Sequence, residues 1–465
     1  MFKTLINIAK VPELRNKLLF TIAMLGVFRL GHWIPLPGLN QEMMAKALQQ
    51  ADTGSAAARL ASFVTLFSGG ALSQSTIFGL GVMPYISAGI IFQLLGQAIP
   101  ALKKLQEEGP TGRQQIIQWT RYATIALAAV QGFGWLGYIN QRGLVYASAA
   151  ANPLWWVMAV GALMAGTVFL MWIGEQIDRF GIGNGVSMII MAGILTRMPN
   201  AIEQVAANFE PGDPDKLGPL SIVAIVGGFV LVIAGAVIMT VAQRRIPIQQ
   251  AKHTRGRRVF GGQRSYLPLR INHGGVMPVV FAGSLMIFPS VIFSSLAELG
   301  RSGEAQTGVT SWWVATAAWL SANFQHGELP YVICEVVMIY FFSYFWITVQ
   351  FNPEEMAKQL KESGSFIPGL RPGPRTAEYL EVVMTRITYV GAAFLAVIAV
   401  LPMVVSKSLG VPVEASQFLG GTGLLIVVSV CLDFLQRVEA NLLMRNYEGF
   451  LSGDGSSVRL RGPRG

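Results

Sequence analysis

Hydrophobic residues along this chain fall in continuous runs of spanning length, separated by short polar stretches, rather than in strict alternation. A helix needs about 20 apolar residues to cross the ~30 Å hydrocarbon layer of a bilayer. That criterion picks out ten segments, near residues 19–36, 76–96, 119–138, 153–174, 185–199, 218–242, 275–295, 329–350, 384–405 and 418–436. The fifth is short and begins in a glycine-rich stretch. A strand barrel is excluded, because its segments alternate between lipid-facing and lumen-facing residues. The pattern predicts an all-α integral membrane protein with ten transmembrane helices.

Composition agrees. Of 465 residues, 52% are hydrophobic and only 13% charged, against about 25% charged in a soluble domain. Mean hydropathy is +0.49. The net charge of +10 would suit a nucleic-acid binder, but such proteins are not this apolar. The two cysteines, Cys334 and Cys431, both lie in apolar runs, which excludes a secreted disulfide scaffold. The first apolar run has spanning length, so no cleavable signal peptide is expected.

Charge fixes an orientation for the ten spans. Arg121, Arg197 and Arg386 lie at span edges and are counted with the adjoining loops. With the N-terminus in the cytoplasm, cytoplasmic segments hold 27 of the 35 Lys+Arg and 13 of the 25 Asp+Glu, net +14. External segments then carry net −3, and Arg29, Glu335 and Asp433 stay within spans. A missed or spurious span would invert every later loop and destroy this asymmetry, which the positive-inside rule requires. Both termini are therefore expected to be cytoplasmic.

An internal repeat divides the chain. Gly81-Val82-Met83-Pro84 with Ala88-Gly89 recurs 194 residues later as Gly275-Val276-Met277-Pro278 with Ala282-Gly283. One copy lies in span 2 and the other in span 7. Five spans per half is odd, so the second half enters the membrane inverted, an arrangement that puts a pathway at the interface between halves. The halves are read as residues 1–200 and 201–445, followed by a cytoplasmic tail, 446–465, whose Gly, Ser and Arg content predicts disorder.

The chemistry of that pathway is mostly absence. Transporters and ion channels carry intramembrane charges that bind or relay cargo, whereas these ten spans hold three, read as satisfied or snorkelling at span ends. There is no GxxxxGK[ST] phosphate loop, no metal-ligand spacing and no nucleophile–base pair, so no enzyme activity, cofactor or metal is expected. The loops are more informative. Residues 243–272 carry Arg244, Arg245, Lys252, Arg255, Arg257, Arg258, Arg264 and Arg270 without one acidic residue. Such a loop attracts anionic lipid headgroups at about 1 kcal/mol per basic residue, and it also suits RNA phosphates or an acidic protein. Loop 351–383 contains Ile367-Pro368-Gly369-Leu370-Arg371-Pro372-Gly373, where two Pro-Gly turns are expected to hold Arg371 at an ordered tip.

At these residues the sequence resembles the SecY family, the channel subunits of the bacterial Sec protein translocase. The resemblance rests on Phe67-Ser68-Gly69-Gly70-Ala71-Leu72 leading into the GVMPYISAG stretch, on Met171 to Ile177 followed by Gly181-Ile182-Gly183-Asn184-Gly185, and on Gln243-Arg244-Arg245-Ile246-Pro247 with Gly256-Arg257-Arg258-Val259. Phe351-Asn352-Pro353-Glu354, the PGLRPG stretch and Phe418-Leu419-Gly420-Gly421-Thr422 complete it. The match spans nearly the whole chain, with several long motifs in order.

The resemblance implies two five-helix halves closing like a clamshell around a central pore, in the bacterial plasma (inner) membrane. It implies an aliphatic ring at the constriction, carried position by position onto Val82, Ile86, Val186, Ile190, Val280 and Ile426. It implies a plug near residues 62–74, including Phe67, Ser68, Gly69, Gly70, Ala71 and Leu72. A lateral gate between spans 2–3 and 7–8 would include Ser87 and Gln93, where hydrogen bonds across the seam set the closing energy. Arg244, Arg245, Arg257, Arg258 and Arg371 would serve a motor or ribosome. Implied partners are SecE-like and SecG-like small membrane subunits, the SecA ATPase, the ribosome, anionic lipids, and signal peptides and unfolded polypeptides as substrates. Three departures stand out: valine at three ring positions where isoleucine is common, Pro110 with Gln114-Gln115 where the family is often more basic, and a tail matching nothing after Phe450. The rival reading is a secondary transporter for a small amphipathic solute, which would put polar or charged groups at the midplane.

Overall fold

Proline opens most of the helices. Pro12, Pro100, Pro110, Pro153, Pro219, Pro353 and Pro374 each take a first helical position, where the missing N–H would have found no partner and the fixed φ suits the helix. Asn152, Asn184 and Asn352 add side-chain caps, accepting from the backbone N–H groups of Leu154, Ser187, and Glu354 with Glu355. The computed structural model describes residues 12–40, 75–141, 143–209, 218–250, 253–255, 258–260, 264–283, 328–409 and 422–451, with isolated positions between 43 and 324.

The helices are α1 (Pro12–Gly31), α2 (Met83–Ala98), α3 (Pro100–Glu107), α4 (Pro110–Gln141), α5 (Ala147–Ala150), α6 (Pro153–Phe180), α7 (Gly185–Thr196), α8 (Met198–Ala207), α9 (Pro219–Val241), α10 (Leu329–Gln350), α11 (Pro353–Glu362), α12 (Pro374–Leu409) and α13 (Thr422–Leu451). Residues 277–283 are also helical. Among the described residues six helices are long and apolar enough to cross a membrane, and α2 with α3 adds a seventh if that bent pair is one span. α1 carries Glu13, Arg15, Lys17 and Arg29, and α13 carries Asp433, Arg437 and Glu439, so neither is among those six.

Boundaries shift from the sequence reading for local reasons. The first helix starts at Pro12 and stops at Gly31, ahead of Pro35 and Pro37. Span 2 is not helical until Met83; residues 77–82 form turns in which Gly79 N–H bonds Thr76 O and Gly81 N–H bonds Phe78 O. At its far end α2 bends 105° into α3, because Ile99, extended at φ −106° and ψ 114°, precedes Pro100. α13 continues to Leu451, into the region expected to be disordered; residues 452–465 lie outside the described residues.

The all-α expectation needs one correction. Loop 243–272 contains strands β1 (Gln243–Gln250), β2 (His253–Arg255), β3 (Arg258–Phe260) and β4 (Arg264–Arg270), and Ser365–Phe366 forms β5. β1 pairs antiparallel with β4, Ile246 opposite Leu267, and with β5, Gln249 opposite Phe366, giving the order β4-β1-β5. β2 and β3 make a separate antiparallel pair. The signal was present in Arg245-Ile246-Pro247-Ile248, whose two isoleucines are buried and whose neighbours are exposed.

Apolar faces meet in several clusters. Leu136 and Ile139 of α4 pack with Trp155, Ala159 and Leu163 of α6. Val232 of α9, Phe281, Ile339 and Phe342 of α10, Leu395 of α12 and Leu424 of α13 form a second. A third anchors the sheet: Ile246 and Leu269 pack with Ile347, Phe351, Ile367, Leu380 and Met384. The basic loop 243–272 and the mixed-charge loop 351–383, far apart in sequence, therefore form one platform on the ends of α10 and α12.

Candidate functional site

The ring candidates are placed by backbone devices that can be followed one at a time. Gly81 has φ +57°, a left-handed conformation open to glycine, and it turns the chain into α2. Ile86 N–H then bonds Val82 O at 3.0 Å. The second copy of the repeat repeats this: Gly275 has φ +57°, and Val280 N–H bonds Val276 O at 3.2 Å. Ala88 and Ala282, also equivalent, are both fully buried. The repeat seen in sequence is thus a repeat of local structure.

α7 is fixed more tightly. Asp178 Oδ1 accepts from Gly185 N–H at 2.7 Å, and Asn184 Oδ1 accepts from Ser187 N–H at 3.0 Å. A side chain at Gly185 would run into the Gly174 carbonyl, so α6 and α7 meet at a distance only glycine allows here. Behind this crossing, Arg121 Nε and Nη2 donate to Glu175 Oε1 and Oε2 at 2.8 Å each, tying α4 to α6 by a bidentate pair.

These devices bring Val82, Ile86, Val186, Ile190, Val280 and Ile426 into one hydrophobic cluster with Phe28, Phe78, Leu170, Ile173 and Ile177. Val82, Ile190 and Ile426 are buried, and Ile86, Val186 and Val280 are half-buried. Side chains from α2, α7, the 277–283 helix and α13 meet there, although more than 340 positions separate Val82 from Ile426. Val276 joins the same cluster. Motif transfer missed it, but the 194-residue repeat maps Val82 onto it.

The other candidates are more dispersed. Ser87 and Gln93 lie half-buried on α2, and neither makes a side-chain hydrogen bond among the described residues. Phe67, Ser68, Gly69, Gly70, Ala71 and Leu72 lie outside the described residues, as does Arg257. Arg244 and Arg245 are exposed on β1, opposite Leu269 and Pro268. Arg258 opens β3 opposite Arg255. Arg371 is exposed at an ordered tip: Leu370 N–H bonds Ile367 O at 3.1 Å across Pro368-Gly369, and Gly369 has φ +87°, the geometry of a type II turn. Thr376 Oγ1 donates to Arg371 O at 3.0 Å, and buried Ile367 roots the tip in the sheet platform.

The intramembrane charges are resolved differently from one another. Asp433 pairs with Arg437 one turn on, at 2.9 Å. Glu335 does not snorkel: it is 5% exposed on α10, and its Oε2 has no partner among the described residues. No group of metal-ligating side chains occurs among the described residues.

A cluster of aliphatic side chains at the meeting of several apolar helices, with an arginine-rich loop and the Arg371 tip gathered on one platform, fits a channel of the polytopic class. Comparison with known proteins makes the assignment specific. The SecY family model matches residues 76–435. The protein translocase subunit SecY of Escherichia coli K12 is 41% identical over 443 residues, covering 94% of each chain. That of Chlamydia trachomatis serovar D is 38% identical over 465 residues, covering 97% of this chain and 98% of its own. A solved structure of a protein-conducting channel superposes with TM-score 0.58 at 17% identity, covering 93% of this chain and 94% of that one. Sec61 in the canine ribosome–channel complex of the endoplasmic reticulum gives 0.54 at 16% identity. The chain belongs to the SecY family. Its function is protein translocation through a membrane channel, and the solute-transporter alternative finds no support.

Proposed function

We propose that this chain is the central subunit of a channel that passes unfolded polypeptides across the bacterial plasma membrane and releases apolar helices sideways into it. Ten spans form two inverted halves, residues 1–200 and 201–445, with both termini in the cytoplasm. Val82, Ile86, Val186, Ile190, Val280 and Ile426 form the throat. Apolar side chains give ions and water no hydrogen bonds, so a narrow apolar throat closes by dewetting. The same side chains yield around any polypeptide because they recognise none. Residues 62–74 act as the plug, and the seam beside Ser87 and Gln93 is the lateral exit. Weak polar contacts suit such a seam, since interhelix hydrogen bonds in membranes average about 0.6 kcal/mol.

Arg244, Arg245, Arg257, Arg258 and Arg371 form the docking face for a SecA-like ATPase or a ribosome, with anionic lipid as a secondary ligand. SecE-like and SecG-like subunits brace the halves from outside. The observation that carries this reading is the meeting of six ring aliphatics from four sequence segments in one cluster. Reconstitution tests it. Vesicles containing the complex, with a SecA motor and ATP, should protect a signal-bearing unfolded polypeptide from external protease. Protection equal to that of vesicles lacking this chain would refute the proposal.

A further inference from the structure

We infer that Val276 is a seventh residue of the constriction, standing in the second half of the chain where Val82 stands in the first; the inference rests on the throat proposed above. The repeat supplies the first observation. Val276 and Val82 each follow a glycine at φ +57° and each accept the first helical hydrogen bond, from Val280 and Ile86 respectively. Burial supplies the second. Val279, Phe281 and Ala282 are 7% exposed or less, and they form the face turned into the C-terminal core. Val276 and Val280 lie one turn apart on the other face, and both are half-buried. The third is contact. Val276 packs against the ring cluster and also against the C-terminal core cluster containing Phe281, Ile339 and Leu424. It therefore joins the throat to the core of the half that carries it, whereas Val82 belongs to the ring cluster alone.

The consequence is a throat closed by two equivalent pairs, Val82 with Ile86 and Val276 with Val280. Valine at position 276 sets the aperture as directly as the six residues carried over from the family pattern.

Cysteine scanning tests this with little change of side-chain volume. In a Cys334→Ala, Cys431→Ala background, Val276→Cys, Val280→Cys and Val279→Cys are introduced singly. Each purified channel complex is treated in detergent with a charged thiosulfonate reagent and then reconstituted into bilayers. Val276→Cys and Val280→Cys should both react and show a severalfold rise in resting ion conductance, while Val279→Cys, on the core face, stays protected. If Val280→Cys responds and Val276→Cys is unreactive or reacts without added conductance, the seventh position is refuted and the throat stands. If neither responds, the throat itself falls.

Discussion

Replacing Ile86 and Val280 together by asparagine puts the throat reading at greatest risk. Both are half-buried members of the ring cluster, in equivalent turns of the repeat. If they are ordinary packing residues, each substitution buries an amide without partners, at about 1–3 kcal/mol apiece on the scale of protein mutational data. The pair would then lose about 2–6 kcal/mol, enough to unfold many proteins outright. If they line a closed throat, the amides draw water into it. Stability then changes little, and the dewetting barrier to ions disappears. Leu170 calibrates the measurement, because it belongs to the same cluster but is 0% exposed. Leu170→Asn removes a buried leucine, worth about 2–5 kcal/mol, and should destabilise the protein without opening it. Thermal stability in detergent and single-channel conductance are measured on the same preparations. The expected result is a stable, conducting double variant beside an unstable, silent Leu170 variant. A double variant that is closed and as unstable as Leu170→Asn would refute the throat.

Three further outcomes are expected. Reporter enzymes fused after Asp454 and after Pro214 should report cytoplasmic and external locations respectively, and the opposite result at either point would overturn the ten-span orientation. Arg371→Glu should abolish motor-driven translocation at normal channel abundance, and Arg371→Lys should restore it only in part, since ammonium lacks the planar donor fork of guanidinium; unchanged transport by the Glu variant would return this residue to lipid attraction. The Arg121–Glu175 pair has half-exposed partners, so a double-mutant cycle on stability with Arg121→Ala and Glu175→Ala should give a coupling of about 1 kcal/mol or less, and a coupling several times larger would mean that the pair is effectively shielded from solvent.

Sequence logic reached some parts of this molecule and missed others, and the difference follows the range of the interaction. The start of α6 was readable because proline and asparagine act on their own backbone: Pro153 after Asn152 opens it without help from the rest of the chain. The ordered tip at Arg371 was readable for the same reason, its turn being closed within four residues. The start of α2 was misplaced because residues 76–82 are as apolar as the helix that follows, and hydropathy alone does not register a left-handed glycine. The sheet was missed because eight cations dominate the loop that contains it. Its inward Ile246 acquires meaning only when Leu380 and Met384, more than 130 residues away, are seen to pack with it.

The proposed throat lies between these cases. Composition could not distinguish Ile190 from any core isoleucine, and the family pattern named it without a physical reason. The repeat supplied that reason for part of the ring, because two copies of one glycine-valine-methionine-proline turn must put equivalent side chains in equivalent places. That constraint acts at a distance of 194 residues and needs no contact to be visible. It reaches Ile86 and Val280, and it extends to Val276, which motif transfer had passed over. Val186 and Ile426 lie outside the repeat, and only the folded chain brings them to the same cluster. The aliphatic cluster proposed as the throat thus combines a locally encoded turn, used twice, with two helices that reach it through tertiary packing, and substitutions in the repeated turns should perturb both sides of the cluster alike.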